Sequence, residues 1–417
     1  MSDYLEPPRR YRQDDETPRR GTQREDRQSP RRSNVVQHGG TKINKADIFT
    51  LGGMDIPFFA ITVALLTIGL VMLFSASYPY ALQNEDSSYY FFSRQLVFAI
   101  AGFIVMLAVS KLNYKLLKVI VTPLTAVTLL LLAVVLVYHT DNGDFKRWIP
   151  IGPLTLQPSD IAKFAVIVLM AYYVSKNAKR MNNLIYGTVV PILILGVFCG
   201  LIYLEHHLSC TILVFCIGAV IMFCGGSDWR IFALGVGVMA AVVVVVILNP
   251  EVLMNYAGDR IKAWLDKGFD PRGLRWQTNN SLYAIGSGGF FGTGLGNSKQ
   301  KFLYVSEPQN DFIFAIVCEE LGFIGAGIII ALFAAMFIRG IQIALRTDDK
   351  FGALLVIGIV SQVAVQTVFN IMVVTDTIPN TGIALPFFSY GGTAILMLLF
   401  EMGVVLSVSR KSNQKKV

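Results

Sequence analysis

Ten long apolar runs constrain this chain more than any other feature of its sequence. A helix needs about 20 consecutive apolar residues to cross the ~30 Å hydrocarbon core of a bilayer. Hydrophobic residues make up 53% of the chain and charged residues only 15%, whereas charged residues form about a quarter of an average soluble domain. The runs lie at 55–78, 95–110, 117–138, 160–175, 185–203, 208–225, 230–249, 311–338, 352–375 and 382–408. We therefore predict an all-α, polytopic membrane protein with about ten transmembrane helices.

The first 50 residues differ sharply from the rest of the chain. They combine Arg-Arg pairs with acidic residues, are rich in Pro, Ser and Gln, and lack the interleaved aromatic residues typical of a nucleic-acid surface. Such mixed charge with few apolar residues predicts disorder. We expect a disordered basic cytoplasmic tail at 1–50, a transmembrane domain at 51–410 and a short cytoplasmic tail at 411–417, with no nucleic-acid partner and no cleaved signal peptide.

Lysine and arginine are unevenly shared between the loops, which predicts the orientation of the helices. Cytoplasmic loops carry an excess of both residues. With the N-terminus inside, the short outer loops hold only Arg94, Lys146 and Arg147, whereas the inner loops hold Lys111, Lys115, Lys118, Lys176, Lys179, Arg180, Arg230, Arg339, Arg346 and Lys350. The pattern places both termini in the cytoplasm, and the long loop at 250–310 on the outer face of the membrane.

That long loop mixes apolar and charged residues and contains a glycine-rich stretch. The stretch GSGGFFGTGLGNSK, at 286–299, lacks the GK[ST] ending of a nucleotide-binding phosphate loop. Its glycines suit tight turns at the membrane surface, and they would equally let backbone N–H groups approach an anion. The sequence leaves both interpretations open.

Three carboxylates lie in or beside the run that follows the loop. A charge in hydrocarbon is costly unless it is paired or neutralised, so such acids are functional candidates. If the helix is continuous, Glu319 and Glu320 lie about 12 to 14 Å from Asp311 along its axis, too far for a paired acid and base in sugar chemistry. Asp311 must then act without them, while Glu319 and Glu320 are predicted to be structural, paired with buried lysine or arginine.

Two further polar clusters interrupt apolar sequence. In NGDFKRWIPIGPLTLQPSDIAKFA, at 142–165, Ser159 or Asp160 would suit a helix cap, and Lys163 would either hold a diphosphate or neutralise Asp160. In the cluster at 370–394, Pro379, Gly382 and Pro386 break a helix at membrane depth, which favours a substrate cavity. The predicted substrate-binding residues from these clusters are Gln157, Ser159, Ser389, Gly391 and Gly392.

The motifs in combination resemble one family from about residue 50 to 408. They are VMLFSAS at 71–77, RQLVFAIAG at 94–102, KRWIPIGPLTLQPSDIAKFA at 146–165, NNSLYAIGSGGFFGTGLGNSKQK at 279–301, EPQNDFIFAIVCEELGFIG at 307–325 and PNTGIALPFFSYGGT at 379–393. The chain is similar to the SEDS family, the FtsW, RodA and SpoVE group of peptidoglycan glycosyltransferases. The long N-terminal tail favours a division-type, FtsW-like member.

The resemblance implies a catalytic residue and a substrate. The essential acid of the family's DFIF motif corresponds to Asp311, and the substrate is lipid II, polymerised into glycan strands on the outer face of the bacterial cytoplasmic membrane. Asp311 would be the general base for the acceptor hydroxyl, with Arg147, Lys163 and Arg260 as candidate cations for the diphosphate. No metal ligand set is evident and no cofactor is certain; whether a divalent cation takes part is left open.

The family also implies partners and competing functions. The partners would be a monofunctional class B penicillin-binding protein, which is a transpeptidase, and other divisome or elongasome proteins. A lipid II flippase and a non-catalytic scaffold for the transpeptidase are the alternatives. The chain departs from the family pattern at LEHHLSC, where His207 replaces an acid beside the matching Glu205, and at Asp376, where glycine is usual. These departures put any secondary acid role at those two positions in doubt.

Overall fold

Helices form almost all of the described structure, as predicted. The computed structural model describes residues 35–38, 41–44, 52–85, 87–137, 147–151, 154–248, 255–273, 275–302 and 304–414. In chain order the helices are α1 Ile56–Asn84, α2 Tyr90–Lys111, α3 Leu117–Val137, α4 Pro158–Lys176, α5 Val190–Leu204, α6 Leu208–Gly225, α7 Trp229–Leu248, α8 Asn255–Leu265, α9 Trp276–Gly288, α10 Ile313–Leu345, α11 Lys350–Val374 and α12 Gly392–Gln414.

Two small antiparallel hairpins accompany the helices. Strands β1 (Val35–His38) and β2 (Thr41–Asn44) pair within the predicted N-terminal tail. The remainder of residues 1–50 lies outside the described residues, so its predicted disorder stays a prediction. Strands β3 (Ile149–Ile151) and β4 (Leu154–Leu156) pair just before α4.

Nine helical segments of the described chain have the length and apolar composition to cross a membrane. They correspond to nine of the ten predicted runs. The tenth run, 230–249, forms α7, several of whose side chains lie outside the described residues. The protein is therefore a multi-pass membrane protein.

Helices α4, α11 and α12 form the interior of the bundle. About two thirds of each spanning window in these three helices is buried, against about a fifth in α2 and α3. Helix α2 packs along α12, α10 packs against α11, and α4 contacts α3, α6 and α11. The outer helices thus leave long apolar faces free for lipid, whereas the polar groups of α4, α11 and α12 face each other.

The two ends of the spanning region meet at one end of the bundle. Helix α1 begins where Asp55 accepts the N–H of Phe58 at 3.0 Å, and Arg339 of α10 binds both carboxylate oxygens of Asp55 at 2.9 Å. Arg410 and Asn413 of α12 donate to the backbone carbonyls of residues 52 and 53, each at 3.0 Å. We call this the Asp55 end. A spanning region that begins and ends at one end crosses an even number of times, and within the described residues α7 and the nine candidate spans together make ten.

The opposite end of the bundle carries Asp311. Asn370 lies 20 residues after Lys350 in α11, about 30 Å at 1.5 Å per residue, and its side-chain amide donates to the Asp311 carbonyl at 2.7 Å. Since Lys350 follows the loop beside Asp55, this Asp311 end lies about one bilayer core away from the Asp55 end. The loop predicted at 250–310 lies here and contains α8 and α9.

Helix α12 starts ten residues later than the apolar run predicted. Residues 375–391 form no helix or strand, as the predicted break at Pro379, Gly382 and Pro386 requires. Side chains of α11 bind the freed backbone instead: Gln366 donates to the carbonyl of residue 384 at 2.8 Å, and Asn370 to that of residue 383 at 2.6 Å. The predicted start at 382 was wrong because apolar residues of a buried extended segment look like helix.

The prediction of one continuous helix after Asp311 was also wrong. Gly322 has φ +68° and ψ −170°, so α10 consists of a short first segment, residues 313–321, and a long second one, residues 323–345. An added Cβ at Gly322 would lie 2.3 Å from the nitrogen of Gly292. The break therefore exists because the glycine-rich loop approaches α10 at this point.

Candidate active site at the Asp311 end

Asp311 lies in the turn just before α10, and its backbone is fixed by α11. The side-chain amide of Asn370 bridges the carbonyls of Asp311 and Ile383, at 2.7 and 2.6 Å. Gly382 faces the carboxylate: an added Cβ there would lie 3.1 Å from Asp311 Oδ2. The half-buried carboxylate is thus held against the irregular 375–391 segment.

The residues just before Asp311 are bound by the end of that same segment. Ser389 donates its hydroxyl to the carbonyl of Asn310 at 2.7 Å, and the N–H of Tyr390 binds the carbonyl of Gln309 at 2.9 Å. Gln95 of α2 in turn holds the 389–391 backbone, donating to the carbonyl of Ser389 at 3.3 Å and accepting from the N–H of residue 391 at 3.1 Å. The Asp311 turn therefore has fixed neighbours on three elements.

The predicted substrate residues Ser389, Gly391 and Gly392 lie next to this turn, but they bind protein. The Ser389 hydroxyl also accepts the N–H of Leu385 at 2.7 Å, so it already both donates and accepts. An added Cβ at Gly392 would lie 2.5 Å from the ring of Phe98, which shows close helix packing. In this structure the three residues therefore hold the backbone and helices around Asp311 in place.

The electrostatic environment of Asp311 suits a general base. Burial and then Glu307 raise the pKa of its carboxyl, Arg260 and Arg147 partly oppose the rise, and the resulting pKa is about 6. Arg260 donates to the carbonyl of Asn380 at 2.7 Å, and Arg147 to that of His206 at 2.8 Å. Two of the three predicted cations therefore share the surroundings of Asp311.

The third predicted cation, Lys163, pairs with a carboxylate of its own helix. Its Nζ lies 2.8 Å from Asp160 Oδ1, and both side chains are about nine-tenths buried. They line a small cavity of about 50 Å³ together with Gln362 and Glu401, whose side chains are joined by a 2.9 Å hydrogen bond. Of the two roles left open for Lys163, this geometry favours neutralising Asp160.

The start of α4 is not capped in the way the sequence suggested. Gln157 occupies the N-cap position and no side chain caps the helix. Asp160 is engaged by Lys163, and Ser159 lies with its hydroxyl 3.5 Å from Nδ1 of His207. Ser159 and Asp160 were thus wrong as cap candidates, because Ser159 faces His207 at the start of α6 and Asp160 pairs with Lys163 of its own helix.

Glu205 and His207 form a second buried polar group near Arg147. Burial raises the pKa of Glu205 and Arg147 partly offsets the rise, which leaves the pKa at about 7. Among the described residues, neither carboxylate oxygen has a hydrogen-bond partner. Burial, with Arg147 and Lys163, lowers the pKa of His207 to about 3, so the imidazole is neutral. Within the described ranges no group of three or more His, Cys, Asp or Glu residues could hold a metal ion.

A larger cavity of about 330 Å³ lies beside the site, between α8, α9 and the 375–391 segment. Arg260, Gln277 and Asn380 line it on the side of Asp311. Sequence reasoning missed Arg275, which is buried and pairs with Asp376 at 2.7 Å. It also missed Asn370, whose polar amide inside an apolar run was a usable signal. Asp376 is thus engaged in an ion pair at the edge of the cavity.

Fold and site together define a polytopic membrane protein that presents a half-buried carboxylate, influenced by two arginines, at one end of its helix bundle. A family model described as "Cell cycle protein", for FtsW, RodA and SpoVE, matches residues 57–414. The chain belongs to this family.

Curated relatives and solved structures agree with that assignment. The chain is 38% identical over 364 residues to a protein of Trichlorobacter lovleyi named probable peptidoglycan glycosyltransferase FtsW, covering 87% of this chain and 94% of the relative. It is 39% identical over 362 residues to stage V sporulation protein E of Bacillus subtilis, covering 86% and 97%.

Two solved structures share the fold. A chain from a peptidoglycan synthase complex, described as coordinating polymerization and crosslinking, matches with a TM-score of 0.71 at 24% identity, over 87% of this chain and 99% of that one. The rod shape determining protein RodA of Thermus thermophilus matches with a TM-score of 0.61 at 25% identity, over 86% and 97%.

Proposed function

We propose that this protein is a peptidoglycan glycosyltransferase that polymerises lipid II into glycan strands, in cell division, elongation or sporulation. The observation that carries the proposal is Asp311, a half-buried carboxylate with a pKa of about 6 at one end of a membrane bundle. A base with a pKa near the working pH is well suited to proton abstraction. Family membership and the glycosyltransferase names of the relatives support the same activity.

In the proposed reaction Asp311 removes the proton from the acceptor sugar hydroxyl. The resulting oxygen nucleophile forms a bond to the anomeric carbon of the donor, and the bond from that carbon to the diphosphate oxygen breaks. Arg147 and Arg260 would stabilise the charge of the departing lipid diphosphate, as fixed cations do for developing anions. Lys163, held by Asp160, takes no part in this scheme.

The orientation that suits this chemistry places the Asp311 end at the outer face of the bacterial cytoplasmic membrane. Basic residues concentrate at the Asp55 end, as expected for a cytoplasmic surface. They include Lys111, Lys115, Lys118, Arg339, Arg346, Lys350 and Arg410. Both termini would then be cytoplasmic. A class B penicillin-binding protein would be the partner that crosslinks the strands, and other divisome or elongasome proteins would be further partners.

Lipid II transport is the second candidate, and one feature favours it. Glu401 lies nine residues into α12, about 14 Å from the Asp311 end and so near the middle of the bilayer. With Asp160 and Lys163 it forms a buried ionisable cluster, and such groups within a membrane often mark transport pathways. A flippase would depend on this cluster, whereas a polymerase would depend on Asp311.

Polymerisation of purified lipid II by the protein with its cognate transpeptidase tests the proposal. We expect strands from wild type and none from Asp311→Asn, which keeps the side-chain shape but removes the base. Glu307→Gln is the matched control, because it makes the same chemical change four residues away on an exposed side chain. Equal polymer from wild type and Asp311→Asn would reject Asp311 as the base. No polymer from any variant, beside an active control polymerase, would favour the flippase or scaffold.

A further inference from the structure

The first segment of α10 is mechanically separate from the part that spans the membrane. Residues 323–345 alone extend about 34 Å, enough to cross the hydrocarbon core. Residues 313–321 precede the break at Gly322 and begin two residues after Asp311. Something other than the spanning helix must therefore set the direction of this short segment, which directly follows the proposed base.

The backbone of the break is completed by the glycine-rich loop, residues 289–301. The N–H groups of Thr293 and Gly294 bind the carbonyls of Glu319 and Glu320 at 2.9 and 3.1 Å. On the other side of the break, the N–H of Phe323 binds the carbonyl of residue 289 at 2.9 Å. The loop thus replaces the hydrogen bonds that a continuous helix would have made.

The side chains of the two glutamates are bound in the same place. Glu319 accepts the hydroxyl of Ser298 at 2.5 Å and the N–H of Lys299 at 2.9 Å. Glu320 forms an ion pair with Lys301 at 2.8 Å, and the two side chains are 0% and 3% exposed. Both carboxylates are consequently satisfied without water.

Ser75 of α1 joins this network and connects it to the rest of the bundle. Its hydroxyl lies 2.7 Å from Glu320 Oε1, and Lys301 Nζ lies 3.1 Å from the same hydroxyl. Lys301 also donates to the carbonyl of Gly296 at 2.7 Å. One buried ion pair therefore ties together α1, the glycine-rich loop and the first segment of α10.

We infer that the Lys301–Glu320 pair is a positioning device for Asp311. The pair fixes the far end of the 313–321 segment, while Asn370 and Ser389 fix the end beside Asp311. A buried ion pair gives little net stability over an apolar pair of the same shape. The ion pair does, however, fix the direction of the 313–321 segment, and an apolar pair would not do this. This inference rests on the proposed function, in which Asp311 is the base.

The test compares single and double variants. Lys301→Met or Glu320→Gln alone leaves an uncompensated buried group and is expected to destabilise the fold strongly. The double variant Lys301→Met/Glu320→Gln removes both charges while keeping similar shapes, so its melting temperature should return close to wild type. Its kcat for lipid II polymerisation should fall about tenfold with KM changed less than about twofold, since a 1 Å displacement of a catalytic group costs about 100-fold and a displacement of about 0.5 Å therefore costs about tenfold.

The ion pair at the Asp55 end provides a matched control. Arg339→Gln/Asp55→Asn removes a comparable pair about one bilayer core away from the proposed base. It should leave kcat unchanged and, like the Lys301→Met/Glu320→Gln variant, keep a melting temperature close to that of wild type. A folded Lys301→Met/Glu320→Gln variant with wild-type kcat would overturn the inference.

Hydrogen exchange gives a readout that does not depend on polymerisation. In the double variant, amides of residues 309–321 should exchange at least about tenfold faster, and those of 323–345 at the wild-type rate. If the double variant does not fold, Ser75→Ala replaces it, because it removes one contact to Glu320 and no charge; the same region should then exchange faster. Unchanged exchange at 309–321 would overturn the inference, whether or not wild type is an active polymerase. An inactive wild type would refute the proposed function instead, and the exchange experiment would still test the inference.

Discussion

Replacing Gly382 with alanine should move the proposed base without changing its chemistry. Gly382 has φ +68°, and an added Cβ would lie 3.1 Å from Asp311 Oδ2. An L-residue in this left-handed conformation costs about 1 to 2 kcal/mol. The contact itself is tighter than an ordinary carbon–oxygen approach, so the carboxylate must shift by a few tenths of an ångström.

That shift sets the expected size of the effect on the reaction. If 1 Å of misplacement costs about 100-fold, then about 0.3 to 0.5 Å costs about four- to tenfold. We expect Gly382→Ala to lower kcat for lipid II polymerisation by this factor at saturating substrate. The fall in melting temperature should correspond to no more than the backbone strain of about 1 to 2 kcal/mol.

Gly226 offers a control that also has a positive φ but, among the described residues, no contact to an added Cβ. It ends α6 with φ +98°, and nothing lies within 4 Å of an added Cβ. Gly226→Ala should lose a similar amount of stability and keep wild-type kcat. If Gly382→Ala and Gly226→Ala have the same kcat, then Gly382 does not set the position of the Asp311 carboxylate and the reasoning is refuted.

Three further predictions concern ionisation and the break in α10. Because the base must be unprotonated, kcat/KM should rise with pH around the Asp311 pKa of about 6 and then level off, and Glu307→Gln should lower that midpoint; a flat profile from pH 5 to 8 would contradict this. Glu205, with a pKa raised to about 7 from its usual 4.5, binds its proton more tightly in the folded state, so wild type loses stability as pH rises from about 4.5 through about 7. Glu205→Gln should therefore gain up to about 3 kcal/mol over wild type at pH 8 and little at pH 5, measured by thermal unfolding. Gly322→Ala would place a Cβ 2.3 Å from the Gly292 nitrogen in a backbone region open mainly to glycine, so a loss of at least about 3 kcal/mol is expected, seen as poor yield and early unfolding; a monodisperse variant with wild-type melting would refute it.

The sequence predicted the spanning helices well because length and hydropathy alone determine which segments enter a bilayer. Helix α11 at Lys350–Val374 matches its predicted run within two residues at either end. The start of α12 was missed because residues 382–391 are as apolar as a helix, and only partners on α11 hold them in an irregular conformation. Pro379, Gly382 and Pro386 predicted that a helix is broken here, but hydropathy alone does not show at which residue the next helix begins.

The candidate site was predicted in part. Asp311, Arg147 and Arg260 were named from motif and charge, and the structure brings their electrostatic effects together. The break at Gly322 could not be read from LGFIGAG, because its cause is a loop about 30 residues earlier in the chain. The choice between the two roles of Lys163 likewise depended on a side-chain geometry that spacing alone leaves open.

The contacts at the Asp55 end also determine how the two tails can be used. Arg410 and Asn413 bind the backbone just before α1, so the chain before Gly52 and the chain after Gln414 leave the bundle from adjacent points. A molecule captured by one tail is therefore held near the other at an effective concentration of the order of millimolar, as for two sites joined by a short linker.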